Sequence, residues 1–255
     1  MAVQRQSAIS ERLVETLRKA RAVVVLTGAG VSAESGIPTF RDAMDGLWSK
    51  FDPHELATPE GFARDPETVT RWYDWRREKC AAAEPNAAHL ALARLEEHLA
   101  AQKRSFRLLT QNVDRLHQAA GSRNVVELHG TLWIWRCIRC GAEREERDVP
   151  FREYPPRCAC GGARRPAVVW FGETLPEDAI QKAYGALETC DLFFSIGTSA
   201  VVEPAASFIH TSRHHGARTV EINRDPTPIS NVVDWLLLGK AGEIMPALVR
   251  MTFGV

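Results

Sequence analysis

Apolar runs of strand length recur along this chain at residues 22–26, 106–109, 125–128, 192–196, 218–222 and 235–238, with patterns of helical period between most of them. A strand that is apolar at nearly every position is buried on both faces, and parallel strands joined by covering helices provide that burial. The expected fold class is therefore α/β, a doubly wound parallel sheet. Helices at 86–100, 177–188, 204–214 and 242–251 are expected to cover it, the first capped by Asn86 with Leu92, Leu95 and Leu99 on its buried side. An N-terminal helix capped by Ser10, with Ile9, Leu13 and Leu17 as its stripe, leads into the first strand.

Two stretches break the alternation, 42–83 and 132–166. They read as a helical insert and a metal-binding module that together form a smaller second domain, leaving 1–41, 84–131 and 167–255 to the large one. A length of 255 residues has room for that arrangement. The 32 Lys and Arg cancel 32 Asp and Glu, which removes the electrostatic reason to expect nucleic acid or an anionic membrane as an obligatory partner. No apolar run approaches the ~20 residues that span a bilayer, and no secretory pattern opens the chain. A cytoplasmic monomer is expected.

The first strand opens into Gly28-Ala29-Gly30-Val31-Ser32-Ala33-Glu34-Ser35-Gly36-Ile37-Pro38-Thr39-Phe40-Arg41. Glycine reaches φ > 0 and lets bare N–H groups approach an anion, so this segment reads as a phosphate cradle. The dinucleotide fingerprint G-x-G-x-x-G lacks its third glycine, because Gly36 is the next after Gly30. A tight strand-to-helix turn is also compatible with the pair. Ser32, Ser35 and Thr39 add hydroxyl donors, and Arg41 a fork suited to a pyrophosphate or carboxylate.

Ligands of open α/β sheets collect outside the carboxyl ends of the strands. Here those ends are polar: Thr110-Gln111-Asn112-Val113-Asp114, His129-Gly130, Gly197-Thr198-Ser199 and Asn223-Arg224. His129 is the candidate base, because it alone among the eight histidines falls at a strand end and is followed by a glycine. His54, His89, His98, His117, His210, His214 and His215 fall in loops or on helices and stay unassigned. Asn112 and Asp114 suit ribose hydroxyls or a positioned water, and Asn223 a second ribose.

Cys137-x-x-Cys140 and Cys158-x-Cys160 are separated by 17 residues, with glycines directly behind each pair. Four thiolates close a tetrahedral zinc and leave no position for water, so one structural Zn²⁺ is expected. The second pair is one residue shorter than the usual C-x-x-C. Cys80 and Cys190 read as small buried hydrophobes.

In this order, the cradle, Thr110-Gln-Asn-Val-Asp114, His129-Gly130, the four cysteines, Val169-x-Phe-Gly-Glu173 and Gly197-Thr-Ser199 resemble the sirtuin family over residues 23–241. Sirtuins are NAD-dependent protein-lysine deacylases with a Rossmann-type large domain and a zinc-bearing small one. The resemblance implies NAD with its pyrophosphate on Gly28, Ala29 and Gly30, adenosine near Gly197, Ser199, Asn223 and Ala241, and nicotinamide near Ile37, Asn112 and Asp114. It adds Ser32, Phe40, Arg41, Trp48, Gln111, Thr198 and Arg224 to the cofactor contacts. It also implies acylated lysine side chains as substrates, the peptide pairing as an added strand with Val169, Phe171, Gly172, Glu173 and Val201. By that resemblance the acyl oxygen attacks C1′ of the nicotinamide ribose and His129 serves as base on the ribose hydroxyls. Nicotinamide, free lysine and O-acyl-ADP-ribose are the products.

Asp65 caps and Pro66 starts a helix running to about Cys80. At about 100° per residue, with Val69 at 0°, Tyr73 falls near 40°, Cys80 near 20° and Arg76 near 340°. Arg76 therefore lies in the middle of the apolar face, with Arg71, Asp74, Arg77 and Glu78 outside. Such a guanidinium pairs with a protein carboxylate, snorkels outward, or awaits an anionic ligand. Tyr73-Asp-Trp-Arg76, like Ala33-Glu34-Ser35 and Thr39, resembles the desuccinylase-like sirtuin branch. That resemblance implies a deacylase for succinyl and malonyl as well as acetyl groups. A narrow deacetylase, a protein ADP-ribosyltransferase and a non-enzymatic NAD sensor are the competing readings.

Overall fold

The computed structural model describes residues 9–38 and 56–254. Its strands are β1 (Ala22–Thr27), β2 (Ser105–Thr110), β3 (Val125–Glu127), β4 (Gly130–Cys137), β5 (Glu143–Glu145), β6 (Arg164–Val168), β7 (Leu192–Ile196), β8 (Arg218–Asn223) and β9 (Trp235–Leu238). Its helices are α1 (Glu11–Lys19), α2 (Pro59–Arg64), α3 (Pro66–Ala81), α4 (Ala87–Ala101), α5 (Leu116–Ala119), α6 (Glu177–Leu187), α7 (Phe208–His214) and α8 (Ala241–Phe253).

The six expected strands form one parallel sheet in the order β3-β2-β1-β7-β8-β9. Burial of β1 explains its unbroken apolar run. Val23 and Val25 join Leu13, Leu17, Leu92, Leu95 and Leu248 on one face, whereas Val24 and Leu26 join Ala183, Leu187, Phe208 and Ile209 on the other. Helices α1, α4 and α8 thus cover one side, and α6 and α7 the other. Each such Val, Leu, Ile or Phe side chain contributes about 1.5–3 kcal/mol on burial, so the centre of the sheet holds the fold. The chain builds outward from β1 to β2 and β3, then returns to add β7, β8 and β9 on the opposite side. The switch point of this Rossmann-like sheet lies between β1 and β7.

Local chemistry sets the helix starts. Ser10 Oγ accepts from Leu13 N at 3.2 Å, Asp65 Oδ1 from Thr68 N at 3.0 Å, and Asn86 Oδ1 from Ala88 N at 3.0 Å. The segment 204–214 differs from expectation at its start: Ala205–Ser207 is a 3₁₀ turn, and the α-helix begins only at Phe208. Neither Pro204 nor Ser207 supplies a side-chain cap there.

Strands β5, β4 and β6 form a separate antiparallel sheet. Between it and helices α2 and α3 lies a third apolar cluster that includes Phe62, Val69, Trp72, Tyr73, Trp135 and Trp170. The helical wheel is corrected here. Asp74 and Arg77, placed outside by the wheel, are 1% and 0% exposed. Arg77 Nη1 donates to Asp74 Oδ1 at 2.7 Å, and its Nη2 donates to the carbonyls of Glu146 and Asp148 at 2.6 and 2.9 Å. Asp74 Oδ2 accepts from Phe151 N at 2.7 Å and from the Tyr154 hydroxyl at 2.8 Å. The segment between β5 and β6 wraps over the second side of α3, so this helix is buried on two faces. Arg71 and Glu78 stay exposed. Among the described residues, no helix is long and apolar enough to cross a membrane.

Candidate active site and metal centre

After β1 the chain makes two 3₁₀ turns, Ala29–Val31 and Ala33–Ser35, and reaches Gly36 at φ +79°. A Cβ on Gly28 would lie 2.9 Å from the Gly197 carbonyl oxygen, and one on Gly30 2.7 Å from it. Gly197 itself has φ +60°, and its Cβ would meet Val31 N at 2.4 Å. The glycines therefore let two strand-end loops pack backbone to backbone across the switch point, with Gly30 N donating to Gly197 O at 2.8 Å. Beside this junction is a cavity of about 230 Å³, lined by Gly30, Gly197, Asn223, Arg224, Lys240 and Ala241 among others.

A row of hydrogen bonds ties the strand ends together. Gln111 N donates to Thr27 O at 3.0 Å, and Gln111 Nε2 donates to Thr198 Oγ1 at 3.1 Å. Asn223 Nδ2 donates to Thr198 O at 2.9 Å. The Gln111 carbonyl lies 3.1 Å from His129 Nδ1. A carbonyl only accepts, so this contact assigns the proton to Nδ1 and leaves Nε2 as the basic atom of the ring. Burial holds the His129 pKa below its ordinary value, with the Gln111 bond acting in the opposite sense. Gly130 is required by the sheet: at φ +71° its Cβ would fall 2.0 Å from Ala167 O on β6.

Ser32 does not face outward as a hydroxyl donor. Ser32 is 1% exposed; its Oγ donates to Asp114 Oδ2 at 2.8 Å and accepts from Asn112 Nδ2 at 3.0 Å. Ser35 Oγ accepts from Asn86 Nδ2 at 3.0 Å. The tight turn rolls the Ser32 hydroxyl against the protein, so it orders Asn112 and Asp114 instead of facing solvent. Leu116 N donates to Asp114 Oδ1 at 2.9 Å. Burial pushes the Asp114 pKa up, opposed by the Leu116 and Ser32 bonds and by the nearby charge of Arg76.

Behind Ser32 lie two histidines left unassigned by the sequence. His89 Nδ1 accepts from Asn86 N at 3.3 Å, and its Nε2 sits 3.4 Å from Ser32 Oγ. His117 Nε2 is 2.9 Å from Thr27 Oγ1, whose proton goes to Thr110 Oγ1 at 2.9 Å. These contacts assign both rings as neutral Nε2–H tautomers. Burial lowers His89 to about 4, and burial first, with the neighbouring His89 second, takes His117 well below its ordinary value.

On α3, Tyr73 is 1% exposed and accepts from Trp170 Nε1 at 2.8 Å. The Arg76 guanidinium is half-buried, 4.9 Å from the Trp72 ring centroid and 5.5 Å from that of Tyr73. Glu173 turns onto Arg165, while Phe171, Gly172 and Val201 are exposed and Val169 half-buried. Ile37 packs against the third cluster, and Ser199 is exposed. Thr39, Phe40, Arg41, Trp48 and His54 lie outside the described residues.

The Sγ atoms of Cys137, Cys140, Cys158 and Cys160 all lie within 4.8 Å of one another. Three of the spacings are 3.5, 3.5 and 3.8 Å, matching the edges of about 3.8 Å of a tetrahedron with Zn–S bonds of about 2.3 Å. The shorter C-x-C corner closes through the glycines behind it. Cys158 N donates to Gly162 O at 2.8 Å, Gly161 has φ +81°, and a Cβ on Gly162 would lie 2.7 Å from Cys137 Sγ. The set fits a structural zinc.

The model of the Sir2 family matches residues 28–204, spanning the cradle, His129 and all four cysteines. The chain belongs to the Sir2 family. A Sir2 relative from Aquifex aeolicus, named NAD-dependent protein deacylase, is 51% identical over 86% of this chain and 90% of its own length. NAD-dependent protein deacylase 1 of Pseudomonas aeruginosa is 50% identical over 94% of this chain and 98% of its own. A crystal structure described as a Sir2 homolog–NAD complex superposes with a TM-score of 0.91 at 48% identity, covering 98% of this chain and 96% of that one.

Within this Sir2 chain, sequence reasoning passed over Glu34, His89, His117 and Trp170 as site residues. Glu34 Oε1 accepts from Gly242 N at 2.9 Å and so caps α8, which has no cap of its own. The one advance signal was His89 three residues after Asn86, the spacing of a reciprocal cap.

Proposed function

We propose that this Sir2 chain is an NAD-dependent protein-lysine deacylase that accepts succinyl- and malonyl-lysine as well as acetyl-lysine. The observation that carries the reading is His129, held by the Gln111 carbonyl with Nε2 as its basic atom, at the polar row beside the glycine junction. The names of the deacylase relatives and the NAD complex of the solved homologue support its coarse form.

NAD supplies an electrophilic ribose carbon and the ribose hydroxyl that receives the acyl group. The residues around the cavity fit part of such an anionic dinucleotide, since Arg224 and Lys240 bring positive charge and Asn223 a polar edge, while the one carboxylate of the lining, Glu34, is engaged by Gly242 N. The Gly28 and Gly30 N–H groups are taken by the carbonyls of Ile196 and Gly197, so the segment from Gly28 to Gly30 serves the phosphates by close backbone approach and not through those two donors. Asn112 and Asp114, ordered by Ser32, orient the nicotinamide end and a ribose hydroxyl. His129 Nε2 takes the hydroxyl proton, and its lowered pKa keeps that atom free at neutral pH. Tyr73 and Arg76 meet the far end of the acyl chain, where a carboxylate suits a guanidinium. A zinc held by Cys137, Cys140, Cys158 and Cys160 would staple the small antiparallel sheet and, with all four positions filled by thiolates, stay out of the chemistry.

The test is nicotinamide release from NAD with one peptide carrying acetyl- or succinyl-lysine. His129→Tyr is expected to keep the fold and lose release by about 10²–10⁴-fold; undiminished release removes His129 from its role. Equal rates on the two peptides, unchanged by Arg76→Met, sink the charged-acyl part.

A further inference from the structure

Trp170 stands between the loop that carries Phe171 and the helix that carries Tyr73 and Arg76. Its indole N–H can only donate, so the Tyr73 oxygen is the acceptor in their 2.8 Å contact. A phenol has one proton, and with its oxygen engaged by the indole that proton is directed to an acceptor elsewhere. Both side chains are buried, Trp170 at 2% and Tyr73 at 1% exposure. Burial pushes the Tyr73 pKa up to about 12, so the hydroxyl keeps its proton throughout the neutral range.

The indole is itself clamped. The Arg165 guanidinium carbon lies 3.4 Å from its ring centroid, and Arg165 Nη1 and Nη2 donate to the two Glu173 oxygens at 2.6 and 2.8 Å. Glu173 Oε2 also accepts from Trp170 N at 2.9 Å, and the Phe62 ring packs 5.5 Å away. A cation against the ring face attracts its π-electrons and strengthens the N–H as a donor. The motif residue Glu173 therefore acts inside the loop, on the tryptophan two positions behind Gly172.

We infer that Trp170 is a positioning residue for acyl selectivity, its indole N–H committing the Tyr73 hydroxyl to donate toward the acceptor end of a bound acyl chain. The inference rests on the charged-acyl reading of the site. A succinyl carboxylate accepts such a hydrogen bond, whereas the methyl of an acetyl group cannot.

Trp170→Phe keeps an aromatic ring and removes the N–H. With matched acetyl- and succinyl-lysine peptides and saturating NAD, the succinyl-over-acetyl ratio of kcat/KM should fall about tenfold, mostly through KM. In a Tyr73→Phe background the same change should cost less than about twofold, because Trp170 acts through that hydroxyl. In protein labelled with ¹⁵N-tryptophan, one indole signal should be lost in Trp170→Phe and shifted in Tyr73→Phe. The Tyr73→Phe spectrum also reports the bond where Trp170→Phe weakens folding. Equal losses on both peptides, a tenfold effect that persists without the Tyr73 hydroxyl, or no indole shift overturns the proposal. If the wild type turns over both peptides at equal rates that Arg76→Met leaves unchanged, while the indole signal still responds, the charged-acyl reading has failed, and the selectivity role falls with it.

Discussion

The molecule buries polar groups in two places and holds them in opposite ways. Behind the glycine junction, hydroxyls, an amide and two neutral imidazoles, those of Thr27, Ser32, His89, Thr110, Asn112 and His117, lie in short hydrogen-bonded runs, and Ser32 joins them to the Asp114 carboxylate. Beneath α3, a full ion pair is shut away, with the Arg77 side chain 0% and that of Asp74 2% exposed, and the Phe151 ring centroid 4.1 Å from the guanidinium. The first arrangement shares each proton among neighbours, so removing one member leaves partial compensation. The second joins each charge directly to one opposite charge, so removing one takes away the other's only direct ion-pair partner among the described residues. The neutral network sits at the crevice where chemistry is proposed, and the ion pair fastens α3 to the segment joining β5 and β6.

The strongest way to break this contrast is Asp74→Ala, which leaves the Arg77 cation buried without its counter-charge. It should destabilise the fold by about 3–5 kcal/mol in urea unfolding, and a loss below about 1 kcal/mol would show that the pair is no clasp.

Next comes pH. His89 and His117 are held neutral in the fold, so below their unfolded value near 6.5 the unfolded chain takes up protons that the folded one refuses. Stability should fall from pH 6.5 toward pH 4, by up to about 1.4 kcal/mol per pH unit for each proton. Urea midpoints at pH 7 and 5 check this, and His89→Gln should reduce the slope; a flat profile would remove the histidines from the account.

Ser32→Ala takes away the hydroxyl shared by Asn112 and Asp114 and should cost about 1–3 kcal/mol. An unchanged midpoint would mean that water replaces it without loss.

The smallest effect belongs to Glu67→Ala. Glu67 pairs with Arg71 on the exposed turn of α3, where both side chains are more than half exposed. At most about 0.5 kcal/mol is expected, which sharpens the point that charge on this helix matters where it is buried.

The six strands of the main sheet were legible because unbroken apolar runs have few other uses in a folded chain. Gly28, Gly30 and Gly130 were legible as special positions, although the carbonyls that demand them belong to Gly197 and Ala167, far along the chain. The cysteines announced a metal by spacing alone. Helix α3 was misread because a wheel assumes one buried face, and nothing within the helix says that Phe151 and Tyr154 close over its back. Trp170 was passed over because, inside Val169-x-Phe-Gly-Glu173, it stood as the variable letter.

What could be read before folding is set by near neighbours: hydrophobic period, helix caps, glycine freedom and cysteine spacing are properties of a few consecutive residues. Which histidines are neutral, which arginine is buried and which way the Tyr73 proton points depend on groups separated by dozens of positions. Burial and donor direction arise only when distant segments close around a side chain, because desolvation and hydrogen-bond geometry belong to the assembled surroundings and not to the residue.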